Sequence, residues 1–210
     1  MNFGEIVVLF KTPQFWHRDS MLSHFLKPLS WGYCRLAEWR ESNQKPHKVS
    51  VPVICVGNLV MGGAGKTPTV IAIVKILKEM GHNPHILSRG YGGYFREVAC
   101  VNSEKHSYLQ VGDEPLLLSA HAPTWIGASR VAAAQAAIAA GATILVMDDG
   151  LQNSKLMKDY SLIVIDCIQG LGNNLVFPAG PLREPIQKGL KRGQAILFVG
   201  DKENFNKPKG

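Results

Sequence analysis

Short, purely apolar runs alternate with helical patterns through most of the chain, and this alternation restricts the fold more than any other feature. The predicted strands cover residues 51–56, 85–87, 143–147, 162–166 and 195–199. The predicted helices cover residues 66–80, 114–120 and 129–140. Strands that are apolar throughout are typical of a parallel sheet covered by helices on both faces. We therefore expect an α/β core over residues 49–200, with ligands at the carboxyl ends of its strands.

Composition excludes several classes of protein. The chain has 210 residues, 46% of them apolar, which is enough for one core and argues against global disorder. The net charge of +7 fits an anionic partner such as a nucleotide, a phospholipid surface or nucleic acid, but no nucleic-acid module signature is present. The four cysteines are far apart and the histidines lack metal-ligand spacing, so neither a disulfide framework nor a zinc site is expected. We also expect no transmembrane helix and no signal peptide.

The first 48 residues form a separate aromatic and basic arm. One helical stripe contains Leu22, Phe25, Leu26, Leu29, Tyr33, Leu36 and Ala37. Pro28 interrupts the stripe, which predicts two short helices with Pro28 near the start of the second. Tryptophans beside basic residues suit a membrane interface, while an arm packed on the α/β core is the alternative interpretation.

The strongest chemical signal is a glycine-rich loop between a predicted strand and a predicted helix. It contains Gly62, Gly63, Ala64, Gly65, Lys66 and Thr67. Phosphate oxygens need several inward-pointing backbone N–H groups, and the following helix N-terminus adds partial positive charge. Lys66 is expected to reach the β- and γ-phosphates and Thr67 to hold Mg²⁺. Val60 occupies the place of the first glycine of GxxxxGK[ST], so other glycines are expected to supply the turn.

Two acidic pairs follow at loop positions. Asp148 and Asp149 end a predicted strand, where the phosphate loop favours a metal site over a simple turn. In VGDEP, Asp113 or Glu114 can accept a proton from a substrate hydroxyl. The residues alone favour a different role for Asp113, the N-cap of the helix that follows.

Three arginines lie near predicted loops. Arg89 in SRGYGG and Arg183 in PAGPLREP are each either a phosphate clamp or an ordinary surface residue. Arg130 opens a predicted helix, where a cation opposes the helix dipole, so it is expected to serve a ligand.

Six motifs, in order, resemble the tetraacyldisaccharide 4'-kinase family, the lipid A 4'-kinases. They are VGNLVMGGAGKTP, SRGYGG, VGDEP, ASR, DDGLQ and GNNLVFPAGPLREP. The resemblance implies a P-loop NTPase-like fold and transfer of phosphate from ATP, with Mg²⁺, to the 4'-hydroxyl of an acylated glucosamine disaccharide 1-phosphate. It also implies peripheral attachment to the cytoplasmic face of the Gram-negative inner membrane, by way of the arm. A phosphate loop without its first glycine is usual in this family.

The resemblance also implies roles for individual residues. Lys66 and Thr67 would bind ATP phosphates and Mg²⁺, and Asp113 would be the base on the sugar hydroxyl rather than a cap. Arg130 and Arg183 would contact phosphate or stabilise the group being transferred, and Asp148 and Asp149 would lie near the metal.

The resemblance further implies a carboxy-terminal region beyond residues 201–210, which we interpret as a polar interdomain linker. We expect that region to be absent here or supplied by another chain. Two other functions remain open: a P-loop switch or metallochaperone-type ATPase, and a nucleotide- or lipid-binding remnant without activity.

Overall fold

A computed structural model describes residues 13–18, 20–63 and 65–200. Within them, seven strands form one sheet in the order β3-β4-β2-β5-β1-β6-β7. The strands are β1 Val53–Gly57, β2 Pro84–Leu87, β3 Ala99–Cys100, β4 Thr124–Ile126, β5 Ile144–Asp148, β6 Tyr160–Asp166 and β7 Ala195–Val199. Neighbouring strands are parallel except β3 and β4, which are antiparallel. The predicted α/β class is confirmed.

The helices lie at the arm and on both faces of the sheet. They are α1 Met21–Ser42, α2 Lys66–Glu79, α3 Tyr108–Val111, α4 Asp113–Ser119, α5 Arg130–Ala139 and α6 Ile186–Leu190. The sequence predicted α2, α4 and α5 within one or two residues. It did not predict β3, β4, α3 or α6, because elements of two to five residues are too short to show a periodicity.

The core forms two apolar layers, one on each face of β5. On one face Leu145 and Met147 pack with the small residues Ala133 and Ala137 of α5, which let the helix approach the sheet closely. On the other face Val146 packs with residues of α2 such as Val70. β5 is buried along its whole length, which explains why its sequence carries no polar alternation.

The arm corrects one prediction, because α1 is a single helix that runs through Pro28. An internal proline lacks an N–H donor and destabilises a helix by about 3 kcal/mol. Here the helix is anchored on both sides of it. Ser23 Oγ donates to the carbonyl of Phe15 at 3.3 Å, and Ser30 Oγ donates to that of Val176 at 2.7 Å. These tertiary bonds offset the local preference of proline for a break.

α1 is attached by its polar side, and much of its apolar surface faces outward. Its buried residues are serines, while Phe25 is 78%, Trp31 70% and Trp39 64% exposed. The described helices include none that is long and apolar enough to cross a membrane. Residues 1–12, 19, 64 and 201–210 lie outside the description, so the boundaries of the arm and of the tail remain predictions.

Candidate active site

The glycine-rich loop leaves β1 and enters α2, as predicted. Gly65 has φ 72°, a left-handed conformation that favours glycine, and it caps α2 without any side-chain hydrogen bond. The first turn of α2 therefore lacks a side-chain cap and offers its N–H groups to an anion. Lys66 is buried, and its Nζ donates to the carbonyl of Gly62 at 3.3 Å. Ala64 lies outside the described residues.

The segment entering this loop is paired with the PAGPLREP stretch. Val60 forms an antiparallel bridge with Leu182. Two backbone bonds flank the bridge, from Met61 to the carbonyl of Pro181 and from Arg183 to that of Leu59, each 2.8 Å. Val60 is buried in this pairing, which explains why a residue with a side chain stands where the usual motif has glycine.

Asp149 joins Lys66 and Arg183 in one charged cluster. Nη1 and Nη2 of Arg183 both donate to Asp149 Oδ2 at 3.1 Å, and Lys66 Nζ lies 3.8 Å from Asp149 Oδ1. Arg183 Nε also donates to the carbonyl of Val60 at 3.1 Å. Three of the predicted site residues are thus brought together beside the phosphate loop.

Unpartnered carboxyl and amide oxygens lie at the ends of β1 and β5. In the described part of the chain, the buried side-chain atoms without a hydrogen bond are Oδ1 of Asn58, Asp148 and Asp149. The pKa of Asp148 is raised to about 7, mainly because the carboxyl is buried and further because the negative charges of Glu114 and Asp149 are near. Asp149 Oδ1 still lies 3.0 Å from Arg183 Nη1 in an ion pair, whereas the other two atoms have no hydrogen-bonded donor, and buried oxygens of that kind suit a hard cation. The described residues include no group of three or more His, Cys, Asp or Glu placed to hold a metal, so such a cation needs further oxygens from a ligand.

The raised pKa of Asp148 predicts a pH-dependent stability in the metal-free protein. Its pKa rises from 3.8 to about 7 on folding, so stability is greatest below pH 3.8, falls as the pH rises from 3.8 to about 7, and stays constant above that. Asp148→Asn removes this effect and is expected to gain roughly 2–4 kcal/mol relative to the parent between pH 5 and pH 8. Denaturant unfolding at the two pH values measures the difference, with the exposed Asp113→Asn as control. A gain independent of pH would contradict the assignment.

The VGDEP segment corrects the N-cap interpretation of Asp113. The cap of α4 is Gly112, and Asp113 is the first helical residue, exposed and making no side-chain cap bond. Gly112 has φ 91°, and a Cβ there would lie 2.3 Å from the carbonyl oxygen of Tyr91. Only glycine therefore lets VGDEP approach SRGYGG this closely.

Glu114 points to the phosphate loop. Its Oε1 accepts a hydrogen bond of 3.4 Å from Thr67 Oγ1, and its charge contributes to the raised pKa of Asp148. Glu114 thus contacts Thr67 and lies close enough to Asp148 for its charge to act on that carboxyl. No contact in the described residues joins Asp113 to the Lys66–Asp149–Arg183 cluster.

Arg130 lies at the start of α5 and is buried. Its Nη1 donates to the carbonyl of Ser88 at 2.6 Å and to that of Gly127 at 3.3 Å. The pKa of Arg130 is lowered to about 10, mainly because the guanidinium is buried and further because the positive charge of Arg89 is near. The guanidinium therefore stays charged at neutral pH. Arg130 thus braces the SRGYGG loop while keeping its charge beside Arg89.

An open cleft of about 1030 Å³ separates the second half of α1 from these loops. Cations dominate its wall: Arg40, Arg89, Arg96, Arg130, Lys155, Arg183, Lys188 and Arg192. Asp149 also lines it, so the cleft connects the charged cluster with the arm. Its size and charge fit an elongated anionic ligand.

A polar network beneath the cluster was missed by the sequence analysis. Gln152 Nε2 donates to the carbonyl of Asn58 at 3.3 Å and to Glu184 Oε1 at 3.2 Å. Arg192 Nε bonds both oxygens of Glu184, at 3.0 and 2.8 Å, and its Nη2 reaches Glu41 of α1 at 2.9 Å. Gln152 and Glu184 lie within quoted motifs, but Arg192 carries no sequence signal.

Comparisons with known proteins agree with the geometry. A family model described as Tetraacyldisaccharide-1-P 4'-kinase matches residues 22–209. Tetraacyldisaccharide 4'-kinase of Gluconobacter oxydans is 48% identical over 193 residues, covering 91% of this chain and 59% of the relative. The enzyme of Rhodospirillum centenum is 47% identical over 196 residues, covering 91% and 58%.

A solved structure is also similar. LpxK from Aquifex aeolicus, crystallised with ATP, has a TM-score of 0.75 and 31% identity, over 85% of this chain and 59% of that one. The chain spans less than three fifths of the length of these relatives.

Proposed function

The chain belongs to the tetraacyldisaccharide-1-P 4'-kinase family, and we propose that it transfers the γ-phosphate of ATP to the 4'-hydroxyl of a tetraacyldisaccharide 1-phosphate in lipid A biosynthesis. The observation that carries the proposal is the phosphate loop whose Lys66 lies 3.8 Å from Asp149, with Arg183 bonded to the same carboxylate. The family relationship does not favour the switch or metallochaperone-type ATPase.

The phosphate loop would bind the nucleotide. The N–H groups at the start of α2 have no side-chain cap, and the ammonium of Lys66 reaches back to Gly62, so the β- and γ-phosphates would lie over this loop. Thr67, Asp148 and Asp149 would hold Mg²⁺, which supplies charge neutralisation of the phosphates when bound. The Oδ1 atom of Asp148, which is buried without a hydrogen bond, supports this assignment.

The chain's own groups would carry out an in-line transfer by position and charge. Lys66 and Arg183 offset the negative charge that moves with the phosphoryl group, and Asp149 keeps both cations aligned. Arg130 contributes a further buried charge next to the cleft. Asp113 would accept the proton of the 4'-hydroxyl, because its carboxylate is exposed and not used as a cap.

The lipid substrate would approach along α1. The helix presents exposed aromatic and aliphatic side chains beside Lys27, Arg35 and Arg40, and it also walls the cationic cleft. An apolar surface with basic neighbours suits the headgroup region of an anionic membrane. We therefore place the protein peripherally on the inner membrane, at the cytoplasmic face where ATP is available.

Membrane attachment through α1 predicts a specific loss of binding. Replacing Phe25, Trp31 and Trp39 together by serine removes exposed apolar area and is expected to weaken binding to phosphatidylethanolamine–phosphatidylglycerol vesicles at least about tenfold. Vesicle co-sedimentation measures this effect. Met80→Ser, at the exposed apolar residue that caps the carboxyl end of α2, is the matched control. Equal sedimentation of the triple variant and the parent would contradict the membrane role.

A polypeptide equivalent to the remainder of the relatives would cover β7. β7 lies at the edge of the sheet, where Ile196 is 44%, Leu197 38% and Phe198 44% exposed. Parallel sheets are normally covered on both faces. The exposed strand supports the expectation of a further carboxy-terminal region, on the same chain or supplied by another.

The decisive experiment measures transfer of labelled γ-phosphate from ATP to tetraacyldisaccharide 1-phosphate. It uses the purified 210-residue chain, with and without a polypeptide equivalent to the remainder of a relative. Labelled lipid in either reaction supports the kinase. ATP hydrolysis stimulated by a protein, with no labelled lipid, would point to the switch ATPase. Nucleotide or lipid binding without turnover in both reactions would point to the inactive remnant.

A further inference from the structure

Three backbone carbonyls of the DDGLQN turn converge on one side chain outside every recognised motif. Lys158 Nζ donates to the carbonyl oxygens of Gly150 at 3.3 Å, Leu151 at 3.0 Å and Asn153 at 2.7 Å. An ammonium group has three donors, so Lys158 directs all of them to this one turn. Without a cation between them, the three oxygens would repel one another.

The turn needs such support because Asp149 is held in an uncommon conformation. Asp149 has φ 51°, in the left-handed region that non-glycine residues rarely occupy. Its N–H donates to the carbonyl of Val56 at 2.9 Å, and Asn153 N–H donates to Gly150 at 2.9 Å. The turn therefore fixes the direction of the carboxylate that meets Lys66 and Arg183.

Lys158 is itself anchored to the sheet. The next residue, Asp159, bonds Val53 at the start of β1 twice: its N–H donates to the Val53 carbonyl, and its Oδ2 accepts from the Val53 N–H, both at 2.9 Å. β6 begins one residue later, at Tyr160. The ammonium is thus held at a fixed place relative to the strands.

We propose that Lys158 is a positioning residue that holds the turn of residues 149–153, and through it the carboxylate of Asp149, in the geometry that receives a magnesium–nucleotide complex. The identity of the ligand as a magnesium–nucleotide complex rests on the proposed function, whereas the role of Lys158 in holding the turn does not. Lys158 does not line the cleft, so it is proposed to act through its bonds to the turn.

The first test needs no ligand and compares amide hydrogen exchange in Lys158→Met, Lys158→Arg and the parent. Methionine keeps the length of the side chain and removes its donors, so exchange at residues 149–153 is expected to become at least about tenfold faster. Arginine has five N–H donors and is expected to restore slow exchange. Lys75→Met, at an exposed position on α2, is the matched control. Parent-like exchange in Lys158→Met would overturn the proposal.

The second test measures ATP affinity by calorimetry with Mg²⁺ and with EDTA. In Lys158→Met the gain in affinity due to Mg²⁺ is expected to fall roughly 10–100-fold, as for other residues that orient ligands. Affinity in EDTA is expected to stay within about twofold, because the phosphate loop is untouched. Equal losses in both buffers would show general disruption and overturn the proposal. If the parent binds no nucleotide, the proposed function fails. Hydrogen exchange still tests whether Lys158 holds the turn.

Discussion

Lys66→Ala is expected to lower phosphate transfer by at least about 10³-fold and to weaken ATP binding. Lys66 is buried at the start of α2, and its ammonium sits between the carbonyl of Gly62 and the carboxylate of Asp149. Under the proposed function, removing it would deprive the γ-phosphate of this cation, and it leaves Asp149 with Arg183 alone. The loss therefore affects ground-state binding and transfer together.

Labelled-phosphate transfer and calorimetry with ATP measure the two effects. Lys66→Met preserves the side-chain volume and separates the loss of charge from the loss of packing, so it is expected to behave like Lys66→Ala. Lys75→Ala is the control, because it removes an exposed lysine from the same helix. A Lys66 variant that retains a tenth or more of the parent's transfer would show that another group neutralises the phosphate.

The parts of this architecture that sequence predicts are those set by local pattern. β1, β5 and β6 each contain an apolar run, and their carboxyl ends meet at one edge because the strands are parallel. That geometry brings the loop after β1 next to Asp148 and Asp149, as predicted. The position of Lys66 at the start of α2 also follows from local sequence, because the glycine before it, Gly65, adopts the left-handed conformation of the cap.

The parts that sequence does not predict depend on residues far apart in the chain. Pro28 remains inside one helix because Ser30 bonds a carbonyl 146 residues away, which no local propensity reveals. Arg192 donates hydrogen bonds to Glu184 and to Glu41 of α1, and so connects three distant parts of the chain through side chains that belong to no common motif. The cap role of Asp113 was wrong because Gly112, with φ 91°, takes the cap position itself.

Asp113→Asn is expected to reduce kcat for transfer by roughly 10²–10⁴-fold while ATP affinity stays unchanged. The amide keeps the size and hydrogen-bonding capacity of the side chain but cannot accept the proton of the 4'-hydroxyl. ATP affinity is preserved because no contact in the described residues links Asp113 to the phosphate loop, whereas its neighbour Glu114 bonds Thr67.

Glu114→Gln is the informative comparison, because the two carboxylates are adjacent in sequence, yet Glu114 is the one that bonds the phosphate loop. This variant is expected to change the Mg²⁺ requirement, since Glu114 contacts Thr67 and raises the pKa of Asp148. The reverse pattern, with kcat lost in Glu114→Gln and retained in Asp113→Asn, would assign the base to Glu114. Steady-state kinetics at several Mg²⁺ concentrations, with the polypeptide that restores transfer if one is required, distinguish the two patterns.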